Sequence, residues 1–334
     1  MSLGHPSRAL ITSGRGVGGV SSFAEGLRAG FEELGIPAEV IPPQRIFTRW
    51  RDLRDARILK ILSTSAVFAA PGARRAICVA HGVTRARGQG MVKMAGVVAT
   101  FKLANASPGA QLIAVSEYVA THLETIFDVR IDAVIHNPLR APFLESASRN
   151  GTRRAYITYV GRLMRVKNLH LLLPAIREVL DENPGLRACI AGDGPERDAL
   201  QRIAAGHARI EFPGTLAPME VRERLRQSIL FVSGTPTEAL GVTYLEALSQ
   251  GCAVAMPASG GGLEIAPQSI GNGIHLFSAR LTRASVTAAL RAALAATPTP
   301  VSLDAYAPRA VAEAYLAADA RFSASGRFRA EAEQ

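Results

Sequence analysis

Two glutamates stand eight positions apart in TPTEALGVTYLEALSQGCAVAMP (235–257), Glu238 in a loop and Glu246 inside a helical stretch. A helix beginning near Thr243 points free backbone N–H groups and the positive end of its dipole back toward that loop, which makes a site for phosphate or diphosphate. A carboxylate on each side of such a site can hold hydroxyl groups, so a sugar on one flank and a ribose on the other suit the spacing. The same letters also fit a capping box, T-x-x-E, at Thr243 and Glu246, and Thr235 and Glu238 repeat that pattern. The residues alone leave both readings open.

Further upstream, YVGRLMRVKNLHLLLPA (159–175) puts Arg162 and Lys167 on the loop between a strand and a helix. Two cations at the carboxyl end of a parallel strand can hold the negative charge of a leaving group; solvated surface charge is the plainer alternative. AGDGPE (191–196) follows the next strand, with Pro195 suited to a first helical position. GGGLEIAP (260–267) and GNGIHLF (271–277) permit close backbone approach to a ligand or are ordinary loops.

Positioning such residues takes a regular scaffold, and the chain supplies one. In the C-terminal half strands are expected at 155–161, 187–192, 209–214, 229–233 and 253–257, with helices at 169–180, 195–205, 218–228 and 244–250. The N-terminal half gives strands at 8–12, 38–41, 77–80, 111–115 and 132–136, and helices at 20–34 and 117–126. Strands alternating with helices mean βαβ units and parallel sheets, with binding loops at the carboxyl ends of the strands. The polar run PFLESASRNGTRR (142–154) reads as a linker. The expected organisation is an N-terminal Rossmann-like domain over 1–145 and a C-terminal one over 153–302. A helix over 303–322 then packs back toward the first domain.

A chain of 334 residues can bury two such cores. It contains no apolar run long enough for a membrane helix, and its start shows no secretory pattern. Cys78, Cys189 and Cys252 each sit in an apolar segment, an odd count without metal-ligand spacing. Buried free thiols in a reducing cytoplasm are expected. The net charge of +10 draws polyanions, yet no nucleic-acid-binding motif accompanies it. RIFTRWRDLRDARILKIL (45–62) mixes six basic residues with Ile46, Trp50, Leu53, Ile58 and Leu62. It reads as a face for an anionic membrane, or as an amphipathic helix packed on its own domain with arginines in water.

Gly14, Gly16 and Gly19 form a literal G-x-G-x-x-G after an apolar strand. A dinucleotide fold also needs an acid closing the second strand. Here Glu39 opens that strand, which ends Ile41-Pro42-Pro43-Gln44, so the match is incidental and a dehydrogenase is disfavoured.

Taken in order, Gly161-Arg162-(x4)-Lys167, GDGP, the Pro-Gly at 213–214, Glu238-x7-Glu246, the GG…E at 261–264 and the NG…LF at 272–277 resemble the retaining glycosyltransferases of family GT4. The likeness covers nearly all of 155–280; in the N-terminal half GGVSSFAEGLRAGFEELGI (18–36), VAHG (79–82) and LIAVSEYV (112–119) match more loosely. The resemblance implies a GT-B fold, two Rossmann-like domains facing each other across a cleft, and transfer of a sugar from a UDP- or GDP-sugar. The acceptor it implies is a hydroxyl, and the basic stretch 45–62 suggests one on a lipid-linked sugar, with a polysaccharide precursor as the other expectation. The resemblance assigns Glu238 to the transferred sugar, Glu246 to the ribose, and Arg162 and Lys167 to the diphosphate. Gly241, Val242 and Thr243 become phosphate and sugar contacts, His81 a donor-sugar contact, and Gly18 and Gly19 a loop near the reaction centre. It further implies retention without an enzyme nucleophile, no metal or other cofactor, and a cytoplasmic enzyme at the inner face of a membrane. One departure is Ala239-Leu240, where the family has Gly-Phe; alanine there is expected to demand more of the backbone and to reshape the sugar pocket. The competing readings are a nucleotide-sugar epimerase of the same layout and a basic nucleic-acid-binding protein.

Overall fold

The computed structural model describes residues 4–14, 19–82, 91–145, 155–204, 206–296 and 301–325, with backbone alone for 91–93. The chain forms two compact units, one of residues 1–141 with 304–334 and the other of 142–303.

The first unit runs β1 (Arg8–Thr12), α1 (Gly19–Glu33), β2 (Ala38–Ile41), α2 (Trp50–Arg54), β3 (Ile58–Ser63), β4 (Ala76–Ala80), α3 (Met91–Asn105), β5 (Ala110–Ala114), α4 (Glu117–Phe127) and β6 (Ala133–Val134). Its sheet is parallel, in the order β2-β1-β3-β4-β5-β6. Strands β3, β4 and β5 are buried along their whole length, as expected of a sheet covered on both faces.

The second unit runs β7 (Tyr156–Val160), α5 (Leu169–Glu182), β8 (Arg187–Ala191), α6 (Arg197–Ala204), β9 (Ile210–Gly214), α7 (Pro218–Arg226), β10 (Ser228–Val232), α8 (Val242–Ser249), β11 (Ala253–Pro257), β12 (Ile274–Phe277) and α9 (Arg283–Ala295). Its parallel sheet has the order β12-β11-β10-β7-β8-β9. The core interleaves Ile157, Ile190, Leu230 and Val232 of the sheet with Leu172, Leu173, Ile176 and Leu180 of α5 and Val286 and Leu290 of α9.

The last helix, α10 (Pro308–Ala324), belongs to the first unit and packs against α1. Gly30 permits this contact: a Cβ there would lie 2.0 Å from the Pro308 carbonyl oxygen. A buried ion pair fixes the helix. Arg75 donates to Asp319 Oδ2 through Nη2 at 2.7 Å and Nε at 3.0 Å, with Nε also 3.3 Å from Oδ1, and each side chain is 4% exposed. The remaining guanidinium protons reach the carbonyls of Gly4 and Ala56, so the charge is solvated by the protein.

The structure corrects the reading of residues 45–62 as one amphipathic helix. The stretch divides into a 3-10 turn (Pro43–Thr48), the short α2 and the core strand β3. Ile58 and Leu62 sit on that strand, and Lys60 lies wholly buried within it. Its ammonium donates to the carbonyls of Asp55 (2.7 Å), Ile58 (2.8 Å) and Arg74. Helix α3 was also not anticipated; it is almost uniformly apolar and carries no helical stripe.

Removing one partner of the Arg75–Asp319 pair strands a buried charge. Asp319→Ala is expected to cost about 3–5 kcal/mol of unfolding free energy, measured by urea denaturation. The double change Arg75→Met/Asp319→Leu is expected to recover most of that loss, because it removes both charges.

Candidate active site

The sheet of the second unit reverses its order at β7, which lies between β10 and β8. The connections leaving β7 and β10 therefore part at their carboxyl ends, the crevice where ligands bind in doubly wound sheets. Both loops carry charged residues singled out by the sequence, and the two groups meet. Lys167, in a 3-10 turn after β7, donates to Glu238 Oε2 at 2.8 Å, with each side chain 26% exposed.

The surrounding backbone holds this pair in place. Asn168 adopts a left-handed conformation and donates from its side chain to the Gly234 carbonyl at 2.8 Å, tying the β7 loop to the β10 loop. From the far side, Gly261 N–H donates to the Glu238 carbonyl at 2.8 Å and Ser259 Oγ to the Pro236 carbonyl at 2.8 Å. The GGGLEIAP loop thus backs the glutamate loop.

Arg162 is exposed, and its guanidinium has no acidic partner among the described residues. Its carbonyl accepts from the buried Tyr159 hydroxyl at 3.1 Å. Burial first, and then the negative field of Glu238, push the Tyr159 and Tyr244 phenols up, so both stay protonated donors. Neither tyrosine was singled out from sequence; each reads as an aromatic core position, and only the fold aims its hydroxyl at a site loop.

Helix α8 begins at Val242, one residue before the expected start, and Gly241 is its N-cap. Gly241 has φ +86°, and a Cβ on it would strike the Tyr244 ring at 2.6 Å. The Tyr244 hydroxyl in turn donates to Ser233 Oγ at 2.8 Å. No side chain caps this helix, and the amides of Val242 and Thr243 meet no acceptor among the described residues. Both capping-box readings are therefore corrected: Thr243 lies inside the helix, and Thr235–Glu238 precedes no helix. Glu246 is 1% exposed within α8.

In the first unit His81 follows β4, half-buried, with Nε2 3.0 Å from Ser63 Oγ at the end of β3. Ser63 N–H donates to Thr12 Oγ1 at 2.7 Å, at the end of β1. The Phe23 ring of α1 meets the imidazole edge-on at 4.7 Å between centroids. Burial pushes the His81 pKa down to about 4, so the ring is neutral at pH 7. Gly19 opens α1 with open space where a Cβ would stand. Gly18 lies outside the described residues. The three cysteines are buried free thiols.

Two parallel six-stranded sheets with their helices are the architecture of the GT-B class of α/β proteins. Residues 142–309 match the family model "Glycosyl transferases group 1", and the chain belongs to that family. It is 30% identical to the sulfoquinovosyl transferase SQD2 of Arabidopsis thaliana over 166 residues, which are 49% of this chain and 31% of that protein. It is 32% identical to a human phosphatidylinositol N-acetylglucosaminyltransferase subunit over 117 residues, 34% of this chain and 24% of that protein. The alignments thus span less than a third of either relative. Among solved structures, Anabaena HepE in complex with UDP and glucose superposes with a TM-score of 0.66 at 16% identity, covering 98% of each chain. That likeness speaks to the fold.

The depressed His81 pKa makes a pH prediction with a definite sign. Between pH 6.5 and about 4 the unfolded chain binds a proton that the folded chain refuses, so stability falls as pH drops through that window. Urea midpoints at pH 7 and pH 5 are expected to differ less in His81→Phe than in the parent protein.

Proposed function

We propose that the protein is a retaining glycosyltransferase of the GT4 kind, moving a sugar from a UDP- or GDP-sugar to a hydroxyl acceptor. The observation that carries this reading is the Lys167–Glu238 pair at the β7/β10 switch point beside the uncapped start of α8. Such a site combines mobile positive charge, fixed amide donors and a carboxylate, which are the groups a sugar diphosphate needs. Arg162 and Lys167 offset the diphosphate charge, and the amides of Val242 and Thr243 receive phosphate oxygens. When the diphosphate draws Lys167 away, Glu238 is released to accept from a sugar hydroxyl. Glu246 takes the ribose, the Gly241 turn keeps the backbone close to the ligand, and His81, Gly18 and Gly19 are assigned to the sugar side.

In this scheme the acceptor oxygen forms its bond to the anomeric carbon on the face from which the diphosphate oxygen departs. The acceptor proton passes to that departing oxygen, so no enzyme nucleophile is required and retention follows. The two cations and the helix start do the work of a divalent ion, and activity is expected to survive EDTA. The relatives, a sulfoquinovosyl transferase and a phosphatidylinositol N-acetylglucosaminyltransferase subunit, support a lipid-linked acceptor. The reading places the enzyme in the cytoplasm at the inner face of a membrane.

The test is thermal stabilisation by UDP, GDP, ADP, their sugar conjugates and NAD. A ligand at 100 times its Kd adds about 2.7 kcal/mol. One nucleoside diphosphate is expected to stand out, with its shift lost in Arg162→Ala and Glu246→Gln. Lys167→Ala is expected to lower kcat by about 10²–10³-fold, the cost of removing one donor to developing negative charge. Stabilisation by NAD alone overturns the proposal.

A further inference from the structure

The first unit carries a surface patch that the candidate site does not use. Phe47, in the 3-10 turn after β2, is 51% exposed, and Trp50, opening α2, is 58% exposed. Phe68 is 51% exposed on a second 3-10 segment, Thr64–Gly72, which packs against both the first turn and α2. Isolated exposed apolar residues are ordinary; three large exposed aromatics carried on elements that pack against one another call for a partner.

The charge around these rings is one-sided. The acids are already paired: Glu39 and Asp52 with Arg8 and Arg49, and Asp55 with Arg57. Arg45, Arg51, Arg54 and Arg74 are exposed and meet no carboxylate among the described residues. The Arg51 guanidinium lies over the Trp50 ring, 5.4 Å from its centroid. An open cleft of about 460 Å³ adjoins the ring, lined by Arg8, Thr48, Arg49, Trp50, Arg51 and Asp52.

A partner that matches is anionic at its outer face and apolar just beneath. An anionic phospholipid bilayer has both layers at that spacing. Its headgroups take arginine guanidinium groups, whose alkyl stems follow the apolar boundary, and tryptophan prefers the interfacial zone. Duplex nucleic acid supplies the charge, but its base faces are stacked out of the rings' reach, and an unpaired strand is the alternative that the measurement separates. No helix among the described residues is long and apolar enough to cross a membrane. We infer that the patch formed by Phe47, Trp50 and Phe68 with Arg45, Arg51, Arg54 and Arg74 is a docking face for an anionic lipid bilayer.

Trp50 is the only tryptophan in the chain, so its emission reports on this face alone. Vesicles of equal parts phosphatidylglycerol and phosphatidylcholine are expected to shift the emission to the blue, and pure phosphatidylcholine vesicles to leave it unchanged. Each arginine at an anionic surface contributes roughly fivefold in partitioning, so Arg51→Gln/Arg54→Gln is expected to weaken vesicle binding by about 25-fold. Phe68→Ser is expected to weaken it without altering its dependence on salt. All three side chains are exposed, and an unchanged melting temperature confirms that the variants fold. Anionic vesicles that bind without moving the Trp50 emission overturn the inference, as does full binding by the double variant. An oligonucleotide that shifts the emission where vesicles do not overturns it in favour of nucleic acid. Neither nucleotide nor turnover enters this measurement, so its failure leaves the donor reading standing, and failure of the donor test leaves this one standing.

Discussion

Everything at the candidate site depends on the reversal of strand order at β7. In a parallel sheet each crossover lays a helix on one face, and neighbouring loops lie side by side until the winding changes direction. At β7 and β10 it changes, so the two loops diverge and leave a gap over the strand ends. Lys167 and Glu238, 71 positions apart in sequence, meet at that gap. The first unit repeats the constraint at β1, which lies between β2 and β3. There Thr12, Ser63 and His81, from the ends of three different strands, join in one polar chain. In both units the polar residues cluster where the winding reverses.

The energetics of the Lys167–Glu238 pair argue for position over stability. A quarter-exposed ion pair adds about 0–1 kcal/mol, far less than the buried contacts of the core beneath it. What holds the loops is the network behind it: the Asn168 and Ser259 side chains and the Gly261 amide, each bonded to a carbonyl of the β10 loop. These bonds fix the backbone and leave the two charged tips exchangeable. A site that must receive a charged ligand needs that division, because a fully buried pair would resist opening at a cost of several kcal/mol.

The sequence carried the second unit in considerable detail, because its strands are short apolar runs separated by amphipathic helices such as α5, and both signals are local. The order of the site motifs was legible for the same reason. Helix α9 escaped although its stripe of Val286, Ala289, Leu290 and Ala293 is a local signal; the other features that escaped depended on tertiary partners. β3 was hidden by Lys60, a charge that local pattern assigns to solvent; the carbonyls of Asp55 and Ile58 just before it and of Arg74 ahead of β4 make it a core residue. The capping-box readings failed because Gly241 takes the N-cap, a choice enforced by the Tyr244 ring packed against it. Tyr159 and Tyr244 went unnoticed because a buried tyrosine looks like any aromatic until its hydroxyl finds a partner.

The departure at Ala239-Leu240 is resolved by the backbone. Sequence reasoning assigned a conformational burden to Ala239, on the view that a glycine was needed there. Among the described residues the left-handed positions include Gly241 but not Ala239, so the turn that frees the α8 amides is made two residues later, and alanine carries no strain. Leu240 is 1% exposed, a buried position where an aliphatic side chain can replace an aromatic one at modest cost. The start of α8 is set by Gly241 and makes no left-handed demand on residue 239. In the proposed scheme diphosphate binding therefore rests on backbone that the departure from Gly-Phe leaves untouched.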